Sequence, residues 1–92
     1  MAGVPLAVKT QTQAAAQQYE RSWTFQASPQ RFDPILQEPA AWVCFVVWDE
    51  KAAIAAVYPP YQIRELVFAE PKRAALQGTK RVVYAHTLPH LG

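Results

Sequence analysis

The most strongly apolar run of the chain is Trp42-Val43-Cys44-Phe45-Val46-Val47-Trp48, between Pro39-Ala-Ala and the charged Asp49-Glu50-Lys51. β-branched and aromatic side chains with no breaker suit a pleated surface better than a helix, and a short run bounded by turn chemistry predicts a central strand covered on both faces. Alternation puts Trp42, Cys44, Val46 and Trp48 on one side and Val43, Phe45 and Val47 on the other, so both sides are apolar.

The flanking pattern supplies the other elements. Tyr19 to Ala27 alternates, with Tyr19, Trp23, Phe25 and Ala27 opposite Glu20, Ser22, Thr24 and Gln26, and predicts a half-buried strand on which the stem of Arg21 covers an aromatic ring. Ser28-Pro29 carries a helix-start signal. Pro34 and Pro39 limit the helix begun there to a turn or two packed by Phe32, Ile35 and Leu36. Asp49-Glu50-Lys51 reads as the turn of a hairpin whose second arm is Ala52 to Tyr58. Four alanines there also suit a helix, but Pro59-Pro60 leaves one too short to be stable.

Tyr61 to Glu70 fits either a strand or a helical face, and the Leu66-Val67-Phe68 cluster favours strand. Pro71 to Gly78 predicts a short helical turn opened by proline and closed by glycine, and Thr79 to Thr87 a last strand through Val82, Val83 and Tyr84.

Residues 9–18, Lys-Thr-Gln-Thr-Gln-Ala-Ala-Ala-Gln-Gln, contain nothing larger than alanine to bury and so cannot repay their own ordering entropy. Residues 1–18 therefore read as a flexible N-terminal arm, or as a short helix formed against something else. Within the arm Val4, Leu6 and Val8 alternate and suit an edge strand added to a neighbour. The whole predicts one small α+β domain over residues 19–92: a mostly antiparallel sheet of four to five strands, with one or two short helices.

Composition adds little that is specific. Net charge is +2, but residues 72–81 hold Lys72, Arg73, Lys80 and Arg81 and no acid, which makes that decade +4; the remainder, with five basic and seven acidic residues, is −2. Such a segment is either a solvated loop or a contact for phosphates or an acidic surface. One cysteine cannot form an internal disulfide, and neither a signal-peptide pattern nor a membrane-length apolar segment is present. A cytoplasmic location without a membrane partner is the expectation.

Candidate chemistry is thin. Cys44 with His86 or His90 has the residue types of a nucleophile and base, yet a thiol in the middle of the most apolar strand is expected to be buried and inert. His86 and His90 have helical metal-ligand spacing, but Pro89 lies between them and no acid comes after Glu70. Gly78-Thr79-Lys80 lacks the first glycine that makes a phosphate loop meaningful. No cofactor and no small-molecule substrate is indicated.

Two short helices can scarcely cover both faces of the Trp42–Trp48 strand. Either the sheet closes on itself or one face is an interface. The reading is a small non-enzymatic protein–protein interaction module, an accessory subunit, inhibitor or shell component. It would bind another protein or itself through Trp42, Trp48, Tyr61, Lys72, Arg73, Lys80 and Arg81. The alternative is nucleic-acid binding through Lys72, Arg73, Lys80 and Arg81.

Overall fold

A computed structural model describes residues 6–72 and 74–89. Strand β1 (Leu6–Thr12) leads directly into helix α1 (Gln13–Tyr19), whose N-terminus is capped by Thr12, the hydroxyl accepting from Ala15 N at 3.2 Å. Strands β2 (Ser22–Gln26), β3 (Trp42–Asp49), β4 (Ile54–Val57), β5 (Tyr61–Gln62) and β6 (Lys80–Tyr84) come next, joined by single turns of 3-10 helix and loops. The result is a small α+β fold, with its strands divided between two sheets.

The larger sheet is built on β3. Strand β1 pairs with it in parallel, Leu6 opposite Trp42 through to Thr12 opposite Trp48. On its other edge β4 pairs antiparallel, Val46 with Val57 and Trp48 with Ala55, and β5 pairs antiparallel through Trp42 and Val43. The second sheet is the antiparallel pair β2 and β6, with Trp23 opposite Val83.

The core lies between the two sheets. Val43, Phe45 and Val47 of β3 meet Trp23 and Phe25 of β2 and Val83 of β6, all essentially inaccessible, while Ala16 of α1 packs into the same cluster. The Trp23 ring lies 4.5 Å from that of Phe45, and Phe25 meets Phe45 edge-on at 6.4 Å. The indole Nε1–H of Trp23 donates to the Val46 carbonyl at 3.0 Å, which joins the layers by a hydrogen bond as well as by packing. Arg21, just before β2, donates from Nη1 to the Tyr58 hydroxyl at 2.9 Å.

Several sequence expectations are corrected. Residues 6–18 are not an arm outside the domain: β1 is an edge strand of the larger sheet and α1 covers part of its inner face. Val4 lies outside the described residues. Ser28-Pro29 opens a tight turn closed by mutual backbone hydrogen bonds of Ser28 and Arg31, and no helix begins there. The helical turn starts instead at Pro34, because the Asp33 carboxylate accepts from Ile35 N at 3.1 Å while its other oxygen accepts from Lys9 Nζ at 3.1 Å. Residues 61–70 hold only the two-residue β5, then a 3-10 turn at Ile63–Glu65 in which the Glu65 carboxylate accepts from Gln62 N, and a single bridge from Ala69 to Val82. Among the described residues no helix is long and apolar enough to cross a membrane.

Candidate functional site

The inner face of the larger sheet is covered over Val43, Phe45 and Val47, with Ile54 left exposed at its margin, and the outer face has no such cover. Directly paired residues of neighbouring strands share a face. The outward set is therefore Leu6, Val8, Thr10 and Thr12 on β1, Trp42, Cys44, Val46 and Trp48 on β3, Ala55 and Val57 on β4, and Gln62 on β5. Leu6, Val8 and Val57 are 66%, 63% and 65% exposed, and each of the two tryptophans 38%. The expectation that β3 is covered on both faces is corrected: cover from β2, β6 and α1 reaches only one.

No residue in the outward set is ionisable except the Cys44 thiol. Its apolar members run diagonally, from Leu6 and Val8 at one corner, along the β3 row, to Ala55 and Val57 at the opposite corner. Thr10 with Thr12, and Gln62, occupy the other two corners. Three strands about 4.8 Å apart and seven residues at about 3.3 Å each make a face of roughly 14 × 23 Å, on the order of 300 Å² in projection.

The expected site residues divide. Trp42 and Trp48 are on the outer face. Tyr61 is not: β5 places it opposite Val43 on the inner side, 4% exposed, with its hydroxyl donating to the Pro89 carbonyl at 3.0 Å. It is a core residue, and the expectation that it contacts a partner is corrected by the period of the strand. Cys44 is half-buried in the outer row rather than sealed in the core, its Sγ donating to the Tyr58 carbonyl at 3.5 Å.

The cations of the basic decade belong to a different part of the surface. Lys72 pairs with Glu20 at 2.9 Å and sits 5.1 Å from the centre of the Tyr84 ring. Its ammonium holds the Glu20 carboxyl below the usual value of 4.5, and the carboxylate in turn raises the Lys72 ammonium above 10.5. Arg81 pairs with Glu70 at 3.0 Å. Lys80 and Arg81 are successive residues of β6, so their side chains leave on opposite faces. Arg73 lies outside the described residues. Two of the three described cations are thus partnered by carboxylates from outside the decade, and Lys80 and Arg81 point to opposite faces of β6.

The remaining candidates are similarly dispersed. His86 stacks on Tyr84 with ring centres 5.6 Å apart and lies 3.9 Å from Glu20, beside the smaller sheet, whereas Cys44 belongs to the outer face of the larger one. His90 lies outside the described residues. At Gly78-Thr79-Lys80, Gly78 N donates at 3.4 Å to the Glu70 carboxylate, so an anion of the chain itself takes the position a phosphate would need. Among the described residues no three His, Cys, Asp or Glu side chains converge as metal ligands would.

The sequence pattern did not place β1 in this surface, nor show the groove of about 410 Å³ that β1 forms with β2, β6 and the loop before Leu76. Trp23 and Val82 give the groove an apolar wall, and Lys9, Glu20 and Lys72 carry its charge. Lys9 and Lys72 are both ion-paired, to Asp33 and Glu20. The alternation of Leu6 and Val8 was the one available signal for β1. No protein-family model, no curated protein and no solved structure matches this chain.

Proposed function

We propose that this protein is a small non-enzymatic protein–protein interaction module that works through the outer face of the β1–β3–β4 sheet. One observation carries the reading: an uncharged, largely apolar surface continuous across three strands, with two half-exposed tryptophans in its central row. Contiguous apolar patches of a few hundred Å² are at the upper end of what monomers leave in water, and tryptophan is enriched among the residues that anchor interfaces. The separation of Cys44 from His86 supports the non-enzymatic part of the reading. The pairing of Lys72 and Arg81 with carboxylates supports a role for the sheet face without the basic loop, and gives phosphate contacts less to work with.

A photo-crosslinking amino acid placed at position 57, in the full chain and in the cells that make it, tests this. The expected product is one discrete adduct, with the mass of two chains or of one chain and one other polypeptide. The same group at Thr24, on the smaller sheet, should give none. Absence of a discrete adduct from position 57, or equal yield from position 24, refutes the assignment.

A further inference from the structure

We infer that the occupant of the outer sheet face is a second copy of this chain, stacked sheet on sheet about a two-fold axis. The inference rests on the interaction reading above and names its partner.

A foreign partner is usually selected by opposite charges placed across the interface, whereas the outward positions of β1, β3 and β4 offer no carboxylate, ammonium or guanidinium to select with. The same neutrality lets the face approach its own image without like-charge repulsion.

A two-fold contact requires a surface complementary to itself. Here the apolar residues occupy one diagonal of the face, and a two-fold axis lying in the interface along that diagonal superposes patch on patch. The two polar corners, Thr10 with Thr12 and Gln62, then exchange places at the rim, so a hydroxyl corner of one copy faces the amide corner of the other.

Two copies of a face of roughly 300 Å² in projection cover at least about 600 Å² between them, within the range of weak, transient interfaces. An area of that size suits reversible association rather than an obligate dimer.

Sedimentation velocity on the full chain from about 1 µM to about 500 µM tests the inference. The expected result is a concentration-dependent shift from the 10.3 kDa monomer to twice that mass, with a blue shift of tryptophan emission as Trp42 and Trp48 leave water. Val8→Asp combined with Val57→Asp places like charges on both copies and should weaken association at least 100-fold. Because both sites are about two-thirds exposed, the far-UV circular dichroism of the variant should be unchanged; Val8→Lys alone serves as a second variant. A chain that stays monomeric at 500 µM, or a dimer that survives these folded variants, overturns the inference. If position 57 meanwhile crosslinks to a different polypeptide, the interaction reading stands and only its partner is wrong; if it crosslinks to nothing, both fall.

Discussion

Phe45→Ala tests whether the contact between the two sheets holds the fold together. Phe45 has no accessible surface, lies 4.5 Å from the Trp23 ring and meets Phe25 edge-on. Truncating a buried phenylalanine to alanine costs about 3–5 kcal/mol, from lost transfer energy and from a cavity that closes only in part. A 92-residue domain has roughly 5–14 kcal/mol in total at ~0.05–0.15 kcal/mol per residue. The variant therefore forfeits between about a fifth and all of its stability. Val57→Ala is the contrast: its side chain is 65% exposed on the outer face, and the cost should stay within about 0.5 kcal/mol.

Urea titration followed by far-UV circular dichroism, at about 1 µM so that association contributes little, measures both. At a slope of about 1–1.5 kcal/mol/M, the Phe45→Ala midpoint should fall by about 2–5 M or the variant should be unfolded in buffer. A loss below about 1 kcal/mol, or an equal loss for Val57→Ala, would show that the core does not lie between the sheets.

Backbone conformation and charge give two other expectations. Gly78 has φ +82 and a Cβ added there meets nothing within 4 Å, so Gly78→Ala should cost about 1 kcal/mol for the backbone alone; Ala53, at φ +53, should give the opposite sign, Ala53→Gly raising stability by about 0.5–1 kcal/mol. Thermal or urea midpoints that move in the same direction for both would reject this. For the Glu20–Lys72 pair, the carboxyl is depressed below 4.5 and the ammonium raised above 10.5. Its stabilisation is therefore fully present between those values, fades as pH falls through the depressed Glu20 pKa, and fades again as pH rises through the raised Lys72 pKa. Both groups are exposed, so the effect is small and screened by salt. The stability difference between wild type and Glu20→Gln should shrink below pH 4.5 and in added salt, and a difference constant down to pH 3 contradicts the assignment.

The strands whose side chains sort by polarity were legible in the chain itself. Trp23 and Phe25 against Ser22 and Thr24 marked β2, and the density of large apolar residues marked β3. Strand β1 was hidden because its inward positions are Ala7, Lys9 and Gln11. Lys9 reaches Asp33, and Gln11 donates to the Glu20 carbonyl at 2.9 Å while accepting from Ser22 N at 3.1 Å, so these polar side chains tie strands together where composition reads them as solvated. For the site, Trp42 and Trp48 were visible as an apolar row without evident cover. Which face lacked cover depended on where β2, β6 and α1 dock, and Tyr61 was misplaced for that reason. The basic decade looked like a cluster because its counter-ions lie outside it, Glu20 at the end of α1 and Glu70 just before Pro71.

The pairing scheme also sets a timetable for synthesis. Leu6 must find Trp42, 36 positions later, and Ser22 must find Tyr84, 62 positions later, so the domain closes only when its last strand has been made. At about 5–20 residues per second, the 35 residues between Asp49 and Tyr84 keep the emerging Trp42–Trp48 run without its inner cover for roughly 2–7 s. During that interval both faces of the most apolar strand are open to water, and the nascent chain presents the kind of surface that chaperones hold.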